Sequence, residues 1–183
     1  MRRMMPILAT VLWVSGRLFA ADPPSIWLDI PFVMQEKDGC GAASIAMVIE
    51  YWQVQKGGSV RGSMDASEIQ RSLHSRAAHG ILASDMQRYF EQNGYSAFTF
   101  AGEWSDLEQH LEKGRPLIVA LKPGSTGPLH FVVVAGIDQE RQLILVNDPA
   151  QRKLLKEDRS RFEREWKGTG RWTLLALPDR SAP

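Results

Sequence analysis

The stretch AASIAMVIEYW, Ala42 to Trp52, is the feature that most restricts how this chain can fold. Apolar residues occupy nearly every position, so a helix built from it is apolar all round rather than along one stripe. A helix of that kind is stable only when other elements cover most of its faces. The sequence therefore predicts a central helix that is buried on most sides.

Three shorter helices are predicted to follow in the first half of the chain. Each begins with a polar residue that is followed three positions later by Glu or Gln, which is the spacing of a capping box. The three pairs are Asp65 with Glu68, Ser84 with Gln87, and Ser105 with Glu108. Gly94 and Gly114 follow the second and third segments, where glycine commonly ends a helix.

The second half of the chain changes period. Besides YSAFTF, which lies between two helices, four short β-rich runs are separated by Gly, Pro and charged turns. These runs are PLIVALK from Pro116, HFVVVAGI from His130, QLILVND from Gln142, and RWTLLAL from Arg171. Helices followed by a run of strands predict an α+β domain whose helical half packs on an antiparallel sheet.

The first residues, MRRMMPILATVLWVSGRLFAADPP, have the form of a secretory signal peptide. Two arginines precede an apolar run that is too short to span a bilayer, and small residues follow at Ala20 and Ala21. We expect residues 1–21 to be a signal peptide and residues 22–183 to be a single domain that is periplasmic or secreted. Arg17 near the cleavage point leaves an uncleaved interfacial anchor as the alternative.

Composition excludes several classes of function. About 160 residues remain after the signal, which suits one domain with its own core and no stable membrane span. Lys plus Arg number 22 and Asp plus Glu 21, without a basic block, so nucleic acid is not an expected partner. No phosphate loop or dinucleotide fingerprint is present, and His74 and His79 lack further ligands nearby. We expect neither a cofactor nor a metal.

Cys40 is the only cysteine, and it stands in DGCGA directly before the predicted buried helix. An exported chain with one cysteine cannot form an internal disulfide, which indicates a reactive or intermolecularly paired thiol. The N-terminus of a helix lowers the pKa of a thiol, and Gly39 and Gly41 leave the backbone open to a substrate carbonyl. The alternative is a small apolar side chain within an ordinary helix start.

A nucleophilic thiol needs a base, and His130 is the best of four histidines. It begins the apolar strand HFVVVAGI after the flexible loop KPGSTGP, so it can point from a sheet toward the helix that carries Cys40. His74, His79 and His110 lie in polar loops or helix surfaces and are expected to be exposed. A core histidine satisfied by backbone groups is the alternative for His130.

Two further positions complete a candidate site. Asp148 ends the strand after HFVVVAGI, and tight antiparallel pairing would bring it beside His130 to orient the imidazole. Asn147 could serve instead, Asp138 lies in the turn DQE, and Asp148 could equally be a turn residue. The side chain of Gln35 could join the Cys40 backbone N–H as an oxyanion donor, or simply be solvated.

In order and spacing, these motifs resemble those of the papain-like cysteine peptidases that process bacteriocin leaders after a double glycine. The resemblance rests on Gln35 with DGCGAASIAMV, LHFVVVAGI, VNDP, and the pattern F...W.G at Phe162, Trp166 and Gly168. It is strongest toward stand-alone, exported relatives without a transporter.

The resemblance implies a papain-like fold and peptide-bond hydrolysis through a thioester acyl-enzyme. It places the nucleophile at Cys40, the base at His130, the orienting residue at Asp148 and the oxyanion donor at Gln35. The substrate would be an exported peptide or small protein. Two alternatives remain: a non-catalytic peptide-binding module in an export route, and an amidase or acyl transferase that uses the same triad.

Overall fold

The computed structural model describes residues 25–57, 65–124 and 127–179. The predicted signal peptide, residues 1–21, lies outside these ranges. The helices are α1 (Cys40–Gln55), α2 (Ala66–Leu73), α3 (Ala83–Gln92), α4 (Trp104–Glu112) and α5 (Arg159–Lys167). In the described ranges, no helix has the length and apolar character needed to cross a membrane.

The strands form one large antiparallel sheet and one short hairpin. The strands are β1 (Ile26–Trp27), β2 (His74–Ser75), β3 (Gly80–Ile81), β4 (Tyr95–Ala101), β5 (Leu117–Leu121), β6 (His130–Asp138), β7 (Leu143–Asp148), β8 (Arg152–Asp158) and β9 (Trp172–Pro178). The order in the large sheet is β4-β9-β5-β6-β7-β8, β1 pairs with the end of β6, and β2 pairs with β3. The predicted α+β class with an antiparallel sheet is confirmed.

The central helix α1 is buried from Gly41 to Tyr51, as its apolar sequence predicted. It packs on one face of the sheet together with α2 and α3, and Phe131, Val133 and Ala135 of β6 point into this core. The alternate residues Val132 and Val134 point into a second core on the other face, against α4 and α5. The sheet is therefore covered by helices on both faces, so β6 is buried almost throughout.

Two of the predicted helix starts are wrong by one or two residues. Asp65 caps α2 as predicted, since its Oδ1 accepts a hydrogen bond from the Ser67 N–H at 2.9 Å. Ser84 and Ser105 instead lie in the first turns of α3 and α4. The capping box of α4 is formed by Glu103 and Asp106, because the chain turns into the helix two residues earlier than predicted.

The sequence analysis predicted no element between Asp148 and Arg171, where the structure has β8 and α5. Charged residues dominate both elements, and α5 turns only Phe162 and Trp166 into the core. Asp158 caps α5 by accepting a hydrogen bond from the Ser160 N–H at 2.9 Å. With so few apolar positions, periodicity gives a weak signal for either element.

Candidate active site

Cys40 is the first residue of α1 and is a half-buried free thiol. A tight turn precedes it, in which Asp38 has a φ of 59° and the Gly39 N–H donates to the Glu36 carbonyl at 3.0 Å. A Cβ on Gly39 would lie 3.0 Å from that same carbonyl oxygen. The glycine thus relieves a tight contact in the turn that delivers the thiol to the helix N-terminus.

His130 begins β6 and is held between two partners. Its Nε2 lies 2.8 Å from Asp148 Oδ1, and its side chain also forms a hydrogen bond with Cys40. Because Nε2 faces Asp148, Nδ1 is the ring nitrogen that remains for the thiol. The structure therefore brings Cys40, His130 and Asp148 together in the predicted order.

Asp148 is almost fully buried, with 5% of its side chain exposed. It ends β7, and antiparallel pairing of β6 with β7 places that end beside the start of β6. Besides facing His130, its carboxylate accepts hydrogen bonds from the Ala150 N–H at 2.9 Å and from the Gln151 side chain. These donors hold the carboxylate in a fixed orientation toward the imidazole.

The other two orienting candidates lie elsewhere. Asn147 points to the opposite side of β7, as neighbouring residues of a strand do. Its Nδ2 donates to the Ile30 carbonyl at 3.3 Å, and its Oδ1 accepts from the Leu154 N–H at 2.9 Å. Asp138 stands at the far end of β6, where it accepts from the Arg141 N–H at 3.0 Å.

The pKa values of the imidazole and the carboxylate shift in opposite directions. Burial lowers the pKa of His130, but the hydrogen bonds and charges of Asp148 and Cys40 outweigh it and raise the pKa to about 9. Burial raises the pKa of Asp148, but the hydrogen bond and charge of His130 outweigh it and keep that pKa below its usual value. The site therefore favours a protonated imidazole beside an ionised carboxylate at neutral pH.

Gln35 lies in the wall of the same pocket as Cys40, His130 and Asp148, a cavity of about 440 Å³. Its backbone N–H donates to the Pro149 carbonyl at 2.9 Å, which ties the approach to Cys40 to the turn after Asp148. Its Oε1 is buried and has no hydrogen-bond partner within the described ranges. The four predicted site residues thus surround one cavity.

Several residues that the sequence analysis missed also line this cavity. Glu157 of β8 and both Arg161 and Glu165 of α5 contribute to its wall. Burial raises the pKa of Glu157, whose Oε2 is buried without a hydrogen-bond partner in the described part of the chain. The one available signal was the i,i+4 spacing of Arg161 and Glu165, which form an ion pair at 3.1 Å.

The remaining histidines lie on other elements. His74 and His79 are exposed, as expected, although His79 lines the mouth of the cavity from the turn before β3. His110 is half-buried in α4, and its Nδ1 is buried without a partner among the described residues. Burial lowers the pKa of His110, so this imidazole is neutral at physiological pH.

Solved structures with a similar fold include several peptidases. A putative C39-like peptidase from Bacillus anthracis has 19% identity and a TM-score of 0.64, covering 85% of this chain and 98% of its own. The peptidase domain of Streptococcus ComA, a bi-functional ABC transporter involved in a quorum-sensing pathway, has 20% identity and a TM-score of 0.64, covering 81% and 98%. Xylellain, a cysteine protease from Xylella fastidiosa, has 12% identity and a TM-score of 0.66, covering 96% and 95%.

The sequence also matches a protein family over most of its length. Residues 27–174 match the Peptidase_C39 like family. Among curated protein sequences, none matches the chain significantly. The family match and the shared fold agree with the arrangement of thiol, imidazole and carboxylate around one cavity. The chain belongs to the Peptidase_C39 like family and is a cysteine peptidase with a papain-like fold.

Proposed function

We propose that this peptidase hydrolyses an exported peptide or small protein with Cys40 as nucleophile, His130 as base and Asp148 as the orienting residue. The observation that carries the proposal is the position of the His130 imidazole. Its Nε2 lies 2.8 Å from Asp148 Oδ1 while the same ring forms a hydrogen bond with Cys40. A base held between a thiol and a carboxylate is the arrangement that nucleophilic catalysis by cysteine requires.

The first half of the reaction forms an acyl-enzyme. The Cys40 proton is held on His130 Nδ1, and Sγ attacks the carbonyl carbon of the substrate. The resulting tetrahedral oxyanion is stabilised by the Cys40 backbone N–H and by the Gln35 side-chain amide. His130 then returns the proton to the nitrogen of the leaving amine, the C–N bond breaks, and a thioester to Cys40 remains.

The second half regenerates the thiol. A water molecule gives a proton to His130 as its oxygen attacks the thioester carbonyl. The C–S bond breaks, the sulfur leaves as a thiolate beside the protonated His130, and a peptide with a free carboxyl group is released. Asp148 stabilises the imidazolium throughout and keeps Nδ1 turned toward the sulfur.

The identity of the substrate is part of the proposal. The expected signal peptide at residues 1–21 supports an exported substrate that the enzyme meets in the periplasm or outside the cell. The resemblance of the sequence motifs to peptidases that process double-glycine leaders makes a double-glycine peptide one substrate to test. A set of peptides with and without this pair, otherwise identical, measures the preference directly.

The proposed chemistry is tested by cleavage and alkylation of the domain from residue 22 onward. We expect the wild-type protein to cleave a peptide library and to react with iodoacetamide at Cys40 near neutral pH. Cys40→Ala and His130→Ala should abolish cleavage, and His130→Ala should also slow alkylation. His79→Ala is the matched control, because His79 lines the same cavity but contacts neither the thiol nor the carboxylate.

The outcomes separate this proposal from its alternatives. Slow alkylation together with no cleavage by the wild-type protein would reject the catalytic triad. Mass spectrometry of the products distinguishes a free carboxyl group from a transferred acyl group or release of ammonia from a side-chain amide. A strain carrying Cys40→Ala that keeps its phenotype, while variants of the cavity wall lose it, would favour a peptide-binding module.

A further inference from the structure

A second pocket of about 420 Å³ lies beside α1 and meets the first one at Gln35, which lines both. Its floor includes Gly39, Ala42 and Glu50 of α1 and the turn before it, and α2 contributes Gln70. No part of the proposed reaction uses this pocket. We call it the Glu50 pocket after its most buried charged residue.

Three side-chain oxygens in the Glu50 pocket are buried without a hydrogen-bond partner among the described residues. They are Oε1 of Gln35, Glu50 and Gln70. The orientation of Gln70 is fixed, because its Nε2 donates to the Asp38 carbonyl at 3.0 Å and therefore leaves Oε1 as the free acceptor. A buried acceptor without a donor is costly, and Glu50 is the only one of these three residues that is buried as a whole, so it is the acceptor that a donor in the pocket would stabilise most.

The charges that line the pocket also favour a ligand that donates hydrogen bonds. Glu36, Glu50 and Asp65 line it, and no Lys, Arg or His within the described ranges does. The Asp65 carboxylate already caps α2, and Glu36 is exposed. Glu50 is only 4% exposed and forms no ion pair within these ranges. Burial raises the pKa of Glu50, and a cationic ligand would favour its charged form.

The rest of the wall is apolar. Phe32, Val33 and Met34 line the pocket in the segment before Gln35, and Met34 is 58% exposed. An exposed apolar wall beside a buried carboxylate suits a side chain with a long aliphatic stem and a charged end. An ammonium group donates hydrogen bonds and carries the positive charge that a buried carboxylate lacks.

We propose that the Glu50 pocket is a substrate subsite that binds a primary ammonium group of the peptide, either a lysine side chain or the N-terminal amine. The proposal rests on the proposed peptidase function. The ammonium donates to Glu50, and the aliphatic stem of a lysine covers Phe32 and Met34.

The distance from the thiol limits where the ammonium can stand in the substrate. Glu50 follows Cys40 by ten residues of one helix, which is about 15 Å along the helix axis. An extended peptide spans that distance with roughly four residues. A lysine side chain covers part of this distance itself, so fewer backbone residues are needed. We therefore expect the preferred lysine about three residues from the cleaved bond.

Paired peptides test the subsite in the wild-type enzyme. One peptide carries lysine at the preferred position, a second carries norleucine there, and each is made with a free and with an acetylated N-terminus. We expect loss of the ammonium to lower kcat/KM roughly tenfold or more, as for a lost charged hydrogen bond. Sensitivity to norleucine assigns a lysine side chain to the pocket, whereas sensitivity to acetylation alone assigns the N-terminal amine.

Matched variants locate the effect. Glu50→Gln should make the lysine and norleucine peptides nearly equal, whereas Glu68→Gln should preserve the difference. Glu68 is an exposed carboxylate of α2 that lies outside the pocket, and its side chain is 73% exposed. Thermal unfolding checks that both variants fold. If Glu50→Gln does not fold, the comparison of the lysine and norleucine peptides in the wild-type enzyme, repeated at increasing salt, still tests the subsite.

Binding to the Cys40→Ala variant separates the two proposals. Fluorescence anisotropy with the same peptides measures the subsite without turnover. Ammonium-dependent binding without cleavage by the wild type would keep the subsite and reject the peptidase proposal for these peptides. Cleavage by the wild type with equal rates for all the peptides, or full discrimination retained by Glu50→Gln, would overturn the subsite.

Discussion

At the residue scale, the chemistry of His130 is set by neighbours that reach it from different elements. Asp148 holds Nε2 from the end of β7, and Cys40 approaches the same ring from the start of α1. Contacts with both partners raise the pKa of this side chain to about 9, although only 19% of it is exposed. The imidazole is therefore a sensitive reporter of both contacts.

Replacing Asp148 by Asn should lower kcat/KM by about 10²- to 10⁴-fold with a smaller change in KM, because an amide supports the wrong tautomer of the imidazole. Steady-state kinetics on one good peptide measures the effect. Asp138→Asn is the control, since Asp138 lies at the other end of β6 and bonds to Arg141. Equal losses in the two variants would count against an orienting role for Asp148.

The raised pKa of His130 also predicts how stability depends on pH. The pKa rises from 6.5 to about 9 on folding. The protonated imidazole therefore stabilises the fold fully below pH 6.5, and this contribution disappears as the pH rises through 9. This rise in the pKa corresponds to about 3 kcal/mol. Urea unfolding between pH 6 and pH 10 should show this decrease, and His130→Gln should make the profile flatter.

At the element scale, the end of β6 depends on a close contact that only glycine permits. At Gly136 of β6, an added Cβ would lie 2.5 Å from the Ile26 carbonyl oxygen and 2.8 Å from Trp27 Cβ. This close approach lets β1 pair with the end of β6, which begins with His130. The strand that carries the proposed base is thus covered along its far end as well.

Gly136→Ala should destabilise the protein by about 1 to 3 kcal/mol, because β1 or β6 must move to accommodate the methyl group. Urea unfolding monitored by tryptophan fluorescence measures the change. Gly80→Ala is the control, since its nearest neighbour would be the Asp38 carbonyl oxygen at 3.5 Å, an ordinary contact. A neutral result at Gly136 would mean that β1 contributes little to the sheet.

The same scale shows what the sequence could predict. The all-round apolar pattern identified α1, and runs of β-branched residues identified β5, β6, β7 and β9. The hairpin of β6 and β7 then placed Asp148 near His130. Residues of β8 and α5 could not be found in this way, because their charged surfaces carry little periodicity. Glu157 therefore lines the cavity from β8, a strand that the sequence pattern did not predict.

At the scale of the whole molecule, the cavity lies at the interface between the two halves of the chain. Gln35 and Cys40 come from the first half, whereas His130 and Asp148 come from the second. Hydrogen bonds cross this interface. The Gln35 N–H donates to the Pro149 carbonyl, and the Ser44 hydroxyl donates to the Phe131 carbonyl. The site can therefore exist only when α1 is docked on the sheet.

This dependence predicts that activity and structure are lost together. In increasing urea, the midpoint of inactivation should coincide with the midpoint of the change in tryptophan fluorescence. Tryptophans report on both cores, because the indole N–H of Trp52 donates to the Ala176 carbonyl and that of Trp166 donates to the Trp172 carbonyl. Peptide cleavage and fluorescence are measured in the same samples. Inactivation at clearly lower urea would show that this interface separates before the domain unfolds.

The separation of the thiol from the imidazole has a consequence for how the chain becomes reactive during folding. The base and its carboxylate lie in one hairpin, which can form early from local contacts, whereas Cys40 is about 90 residues away in sequence and arrives only when α1 docks. A nascent or partly folded chain thus carries an ordinary thiol. Nucleophilic reactivity would appear with the last long-range contact, so folding itself switches the enzyme on.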